Sequence, residues 1–176
     1  DPTSQTYDGA NGTNFNMGTG ALLMTELQYA LNPQPADMSN VTKNPGLPGV
    51  YKLGGFYDTA KFADYRYNRN GGSLGAAVAN ATAATPQSDL TPRWDRGNWM
   101  VYGIIDQMIW RPSLTSARPV GLFVRATGNG GDRNQISFAI DTGLNLKAPF
   151  TGRDNDTIGL GWGIGRASSG LRQFDR

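Results

Sequence analysis

Charged residues of both signs recur on one face of the predicted strands, and they are the residues of this sequence that could do chemistry. They are Glu26, Lys52, Asp106, Arg125, Asp141 and Lys147. Because carboxylates accept hydrogen bonds while Lys and Arg donate them, a mixed surface can bind neutral hydroxylated solutes, whereas charges of one sign select ions. Phe56 and Phe123 could pack on the apolar faces of such solutes. Alternatively, each charge only solvates or braces its strand.

Residue types that enzymes commonly use are missing. The 176 residues include no Cys and no His, which removes thiol catalysis, disulfides and the commonest metal ligands. Residues 154–156 resemble the start of a calcium-binding loop but lack its closing Glu. The glycine series from Gly159 to Gly165 lies inside a strand, not at the strand-to-helix turn of a nucleotide site. We therefore predict no enzyme, no cofactor and no metal site, although carboxylate chemistry stays open.

The charge balance argues against a nucleic-acid partner. The chain has 16 Lys and Arg against 14 Asp and Glu, a net charge of +2, and no basic patch interleaved with stacking aromatics. Its mean hydropathy is negative and it holds no long apolar run, which excludes a transmembrane helix. Membrane β-strands pass this test, because half of their residues face a polar interior.

The clearest pattern is a two-residue period between residues 135 and 165. Apolar or β-branched residues alternate from Ile136 to Leu146, and the period returns from Ile158 to Ile164 with glycines opposite. This pattern predicts two successive antiparallel strands. The first would rise roughly 33 Å, or roughly 25 Å at a tilt of about 40°, which equals the apolar height of an outer-membrane barrel. Strands of soluble sandwiches are usually shorter, about five or six residues.

Four earlier segments alternate in the same way, namely residues 20–31, 50–59, 97–111 and 120–127. Glu26 and Gln28 identify the polar face of the first segment, because a charge facing lipid costs on the order of 2 kcal/mol or more. The same reasoning places Lys52 and Arg125 on polar faces. We therefore predict an all-β chain with six clear strands, built as an antiparallel transmembrane β-barrel.

The segment 97–111 contains a break in phase. Trp99 and Trp110 cannot share a face under strict alternation, and the polar residues Asp106 and Gln107 are adjacent. A β-bulge near Asp106 and Gln107 would turn both polar groups inward and both tryptophans outward, one at each aromatic girdle. The alternative is two strands of ordinary alternation, with Gln107 near the interface.

Residues 60–96 are the longest segment without a clear period. Long loops in compact domains are commonly functional, and we predict that this one is an extracellular loop whose Arg66 and Arg69 could reach the pore. The segments 112–119 and 148–156 are predicted as short periplasmic turns. This alternation of long and short connections fits loops on one side of a membrane and turns on the other.

Several segments together resemble the carbohydrate-selective porins of the OprB family. They are Leu47-Pro-Gly-Val-Tyr-Lys-Leu-Gly-Gly-Phe-Tyr57 with Phe62-Ala-Asp64, Gly97-Asn-Trp-Met-Val-Tyr-Gly-Ile-Ile-Asp-Gln-Met-Ile-Trp-Arg111, Gly131-Asp-Arg-Asn134 and Phe150-Thr-Gly-Arg-Asp-Asn-Asp-Thr-Ile-Gly-Leu-Gly161. The similarity runs in order from about Glu26 to Ser168, which makes it more specific than any single motif.

The resemblance implies a monomeric barrel of about sixteen strands in a Gram-negative outer membrane, surrounded by lipid, through which sugars diffuse passively. The sequence has no signal peptide and no closing aromatic strand, so we expect residues 1–176 to be a single partial barrel domain. It would supply six to eight strands from the middle of the barrel.

The resemblance also implies a constriction lined by charged residues, arginines among them. The candidate pore-lining residues are Glu26, Gln28, Lys52, Asp106, Arg125, Asp141, Asn145, Arg66 and Arg69. Strand phase favours Arg125 and Lys52 most. Two alternatives stay open, a non-transport barrel with a plugged interior and a soluble carbohydrate-binding β-sandwich.

Overall fold

The computed structural model describes residues 20–33, 46–114 and 116–174. Within these residues the strands are β1 (Leu22–Leu31), β2 (Gly49–Asn68), β3 (Pro92–Trp110), β4 (Val120–Asn129), β5 (Ile136–Lys147) and β6 (Thr157–Ala167). Two short helices accompany them, α1 (Leu74–Ala79) between β2 and β3, and α2 (Ser169–Phe174) after β6. Neither of these helices is long and apolar enough to cross a membrane.

The described strands pair in chain order, β1 to β6, and every pair is antiparallel. Each connection therefore joins neighbouring strands, as expected when successive elements stay adjacent. The predictions of an all-β chain, of six strands and of the β5–β6 hairpin are confirmed. The predicted turns 112–119 and 148–156 do connect β3 to β4 and β5 to β6, and Thr115 lies outside the described residues.

The irregular segment is shorter than the predicted range 60–96. β2 continues to Asn68 and β3 already begins at Pro92, so strands occupy both ends of this segment. The aromatic residues between Phe62 and Tyr67 favour a strand. A register shift between Asp58 and Lys61 interrupts the two-residue period, which explains why the pattern could not be followed past Thr59.

The register divides the sheet into a polar face and an apolar face. On the polar face Glu26 pairs with Gly54, which pairs with Tyr102. On the apolar face Leu27 pairs with Leu53, one position along each strand. Because side chains alternate, residues paired across the strands share a face.

The apolar face is not covered by a second layer in the described residues. Leu27 is 72% exposed and Leu160 is 78% exposed, although both are large and apolar. The only buried hydrophobic residues among those described are Leu74 and Ala148. A soluble β-sandwich needs a second sheet over the apolar face, and the described residues do not supply one.

The bulge of β3 lies beyond the predicted place. The register with β2 and β4 runs unbroken through Asp106 and Gln107, and the shift falls between Met108 and Trp110. Asp106 is on the polar face, Gln107 is on the apolar face, and the shift returns Trp110 to the apolar face. The alternative of two strands is wrong, because β3 is continuous, but Gln107 does follow its ordinary alternation. Its place near the interface stays a prediction.

Gln107 is tolerated on the apolar face because its amide is hydrogen-bonded. The Tyr51 hydroxyl donates to its Oε1 over 2.6 Å, and its Nε2 donates to the carbonyl of Pro48 over 3.1 Å. A half-buried amide with partners avoids the cost of an unsatisfied polar group. Sequence alternation alone does not reveal these partners.

Glycines on the polar face of β5 and β6 permit close packing. A Cβ on Gly143 would lie 2.5 Å from the Leu160 carbonyl and 2.7 Å from the Phe123 ring. The Phe123 ring also lies above Gly161, where a Cβ would be 3.6 Å away. The Phe123 ring therefore packs directly on the backbone of Gly143 and Gly161.

We expect Gly143→Ala to lower the free energy of unfolding by about 1 to 3 kcal/mol, because the added methyl group overpacks the site between Leu160 and Phe123. Denaturant unfolding of the protein in lipid vesicles measures the change. Gly159→Ala is the matched control, since its Cβ would meet only the Leu144 carbonyl at an ordinary 3.5 Å. Equal stabilities of the two variants would contradict the packing argument.

Candidate functional site

A row of residues in register crosses the polar face of all six described strands. From β1 to β6 the row contains Gln28, Lys52, Ile104, Arg125, Asp141 and Gly163. We call these residues the central row. Four of the sequence-predicted site residues therefore meet at one level of the sheet. Glu26 and Asp106 lie on the same face in the two adjacent levels, and Asn145 lies on that face two levels from the central row.

Lys52 is held in a contact with Glu26. Lys52 Nζ donates to Glu26 Oε1 over 3.2 Å, and the Tyr102 hydroxyl donates to Glu26 Oε2 over 2.6 Å. Both carboxylate oxygens are thereby engaged, although all three side chains stay accessible to solvent. Gly54 lies between β1 and β3 in this level, and a Cβ there would be 2.5 Å from the Tyr102 hydroxyl oxygen.

Arg125 lies differently, because it forms no ion pair with any described residue. Its guanidinium carbon is 5.3 Å from the centroid of the Phe123 ring, a cation–π contact. Its register partner Asp141 directs its carboxylate over Gly163 on the opposite strand, where a Cβ would collide with Oδ1. Both charges are exposed, so hydrogen-bonding capacity remains for a solute.

The central row and Phe123 in the adjacent level together combine a donor, an acceptor and a ring. Arg125 supplies hydrogen-bond donors in a planar fork, Asp141 supplies acceptors, and Phe123 supplies an apolar surface. This set suits a molecule with several hydroxyl groups and an apolar ring face, and it contains no nucleophile paired with a base.

The comparisons with known proteins agree with this geometry. The family described as "Carbohydrate-selective porin, OprB family" matches residues 1–176, the whole chain. The chain belongs to the OprB family. The family is one of porins, which are channels, and not a family of enzymes.

Two individual proteins are similar to this OprB-family chain. Porin B of Pseudomonas aeruginosa is 30% identical over 115 residues, which cover 65% of this chain and 23% of the relative. The solved high-pH structure of Pseudomonas putida OprB is similar over 93% of this chain and 35% of its own, with a TM-score of 0.68 and 21% identity. The chain spans about a third or less of these relatives' length, and the second likeness shows that the six-stranded sheet has the porin fold.

Arg66 and Arg69 do not lie in the central row of this OprB-family sheet. Arg66 is on the same strand as Lys52 but far beyond it, and Arg69 follows the end of β2. Both side chains are exposed, and Arg66 stacks on the neighbouring Tyr67 at 4.8 Å. Their predicted contact with a solute stays a prediction.

A second charged cluster lies near the far end of β2 and the start of β3. Arg93 contacts Asp64 at 2.7 Å and Asp95 at 2.9 Å, and these two carboxylates and Asp132 approach within 4.8 Å of one another. The hydrogen bond to Asp95 is the main cause that raises the pKa of Arg93 above its ordinary value. Because Arg93 binds two of the carboxylates, the group is explained as an ion-pair network.

Asp64 also organises the backbone of this region. Its side chain is fully buried, and its Oδ1 accepts hydrogen bonds from the backbone N–H groups of Arg66 at 2.7 Å and Tyr67 at 3.2 Å. The carboxylate is thereby satisfied on both oxygens. The buried acid therefore has a structural role at the end of β2.

Sequence reasoning missed Tyr102 and Gly54 as members of the polar face. The alternation in β3 carries the signal for Tyr102, because its neighbours Val101 and Gly103 belong to the apolar face. Its contact with Glu26 depends on two strands that are 76 positions apart in sequence, so strand phase alone could not find it.

We expect Asp64→Asn to lower the free energy of unfolding by about 2 to 3 kcal/mol, because the change breaks an ion pair whose acid is buried. The loss stays below that of a fully buried pair, since the Arg93 side chain is partly exposed and remains hydrated. Denaturant unfolding in vesicles measures this loss. Asp156→Asn is the control, since its partner Arg153 is 67% exposed and such surface pairs contribute about 0 to 1 kcal/mol. A loss for Asp64→Asn no larger than for the control would contradict the assignment.

Proposed function

We propose that this chain forms part of the wall of a bacterial outer-membrane pore through which sugars diffuse passively. The observation that carries the proposal is the central row with Phe123 in the adjacent level. Together they form a mixed charged and aromatic surface on one face of a sheet whose other face is apolar and exposed. Family membership supports the same conclusion. The central row faces the pore and the apolar face contacts lipid.

The apolar face has the aromatic residues that suit a membrane interface. Tyr57 pairs with Trp99 near one end of the apolar region, and Trp110 lies at the other end of the same strand. Aromatic residues at both interfaces flank the lipid-facing band of membrane barrels. In this arrangement the connection within 60–96 is extracellular, and the turns 112–119 and 148–156 are periplasmic.

Sugars cross the pore by brief contacts with the central row and with Phe123 in the adjacent level. Arg125 and Asp141 exchange hydrogen bonds with hydroxyl groups, while Phe123 packs against an apolar ring face. The contact is weak, because a solute held tightly would leave the pore slowly. In the intact protein about sixteen strands close the barrel, which acts as a monomer and needs no cofactor.

The function is tested by reconstituting the intact protein in liposomes and planar bilayers. We expect sugar-driven liposome swelling and an ion conductance that added sugar reduces. Swelling no faster than with a general porin would contradict sugar selectivity. A membrane-inserted protein without conductance would instead indicate a non-transport barrel with a plugged interior.

Arg125→Ala should raise the sugar concentration for half-maximal block of the conductance about fivefold, because one solvent-exposed hydrogen bond with a net contribution of roughly 1 kcal/mol is lost. Single-channel recording with increasing sugar measures this concentration.

Arg118→Ala is the matched control for this substitution. It removes the same charge, but Arg118 lies in the β3–β4 connection, and among the described residues its guanidinium donates only to Thr151 Oγ1 at 3.2 Å. An equal effect of both substitutions would show that overall charge, not contact in the central row, controls the block.

The membrane orientation gives a separate prediction from two adjacent residues of β1. Leu27→Arg should lower the free energy of unfolding in vesicles by about 2 to 4 kcal/mol, because the new charge faces lipid near mid-bilayer. Gln28→Arg on the polar face should change it by no more than about 0.5 kcal/mol. Similar losses for both variants would refute the assignment of the two faces.

A further inference from the structure

Tyr102 reaches Glu26 across an intervening strand. The two residues lie on β3 and β1, which are separated by β2, so their backbones are about 10 Å apart at about 4.8 Å per strand. The contact is possible because Gly54, the residue between them, has no side chain. The Tyr102 hydroxyl then lies 2.6 Å from Glu26 Oε2.

This contact also restrains the position of a second charged group, the Lys52 ammonium. Glu26 Oε1 accepts from Lys52 Nζ at 3.2 Å, so the carboxylate bridges the Tyr102 hydroxyl and the Lys52 ammonium. Lys52 belongs to the central row, where it precedes Ile104 and Arg125 in register. The two cationic residues of the row therefore lie at one level of the sheet, with their backbones about 10 Å apart by strand spacing.

The remaining charges of the central row lack such a restraint. Arg125 and Asp141 make no ion pair with the described residues, whereas Lys52 is held by an acid that is itself held by a hydroxyl. A long lysine side chain has high rotamer freedom, and holding it in one position costs conformational entropy that a pre-arranged partner reduces. Tyr102 is the group that arranges this partner.

We propose that Tyr102 is a positioning residue that, through Glu26, sets the place of the Lys52 ammonium in the pore and thereby contributes to sugar contact and ion selectivity. The proposal rests on the pore function proposed above. Tyr102 need not contact the sugar itself. The hydroxyl group of Tyr102 produces the effect. The ring packs above Gly54 whether or not the hydroxyl is present.

The substitution Tyr102→Phe isolates the hydroxyl. We expect the sugar concentration for half-maximal block to rise about threefold, because the hydrogen bond to a charged partner that orders Lys52 is lost. The reversal potential in a salt gradient should shift towards cation preference, since one Glu26 oxygen is no longer covered by a donor. Both are measured on single channels of the intact protein.

Tyr51→Phe is the matched control. It removes the same atom from a hydrogen bond of the same length, 2.6 Å to Gln107, but on the apolar face of the sheet. We expect its block and reversal potential to equal those of the unchanged protein. A purely structural effect of losing a tyrosine hydroxyl would appear in both variants.

The background Glu26→Ala shows whether Tyr102 acts through Glu26. Effects of residues in one network are not additive, so Tyr102→Phe should change neither reading once Glu26 is absent. The proposal would be overturned if Tyr102→Phe changed the sugar block and the reversal potential as much in the Glu26→Ala background as in the unchanged protein. Equal values for Tyr102→Phe and Tyr51→Phe would overturn it as well.

The failure of the proposed function gives a different result. An unchanged protein that conducts ions without any block by sugar refutes sugar transport, while the reversal potential of Tyr102→Phe still decides the positioning role. A protein without conductance refutes both.

Discussion

The hydrogen-bonded register between neighbouring strands is the constraint on which the rest of the structure depends. Because side chains alternate, a slip of one residue in β4 would exchange Arg125 for Val124 on the polar face. The shift beside Trp110 returns this residue to the apolar face, where strict alternation would fail. The same ladder satisfies the backbone polar groups, which strands in lipid require.

Glycine positions determine where large side chains can lie on the polar face. Gly143 and Gly161 lie beneath the Phe123 ring, and Gly54 leaves room for Tyr102. These glycines serve close approach and not backbone turns, because they lie inside strands. The high glycine content is therefore tied to the shape of the polar face.

The charges of the polar face fall into two groups with different contacts. Glu26 and Lys52 are bound to each other and to Tyr102. Arg125 and Asp141 are partners in register, yet one lies over Phe123 and the other over Gly163, on opposite sides. The first group can fix geometry, and the second group keeps its hydrogen-bonding capacity for a solute.

The sequence by itself determined the fold class, the number of described strands and the face of most predicted strand residues, because the two-residue period is a local property. Gln107 is an exception, since the register runs unbroken through it. It also indicated the family through several ordered segments. It did not determine the extent of β2 and β3, since the register shift after Asp58 breaks the period. Only the tertiary structure decided that Lys52 forms an ion pair while Arg125 forms none with the described residues, because such contacts depend on strands far apart in sequence.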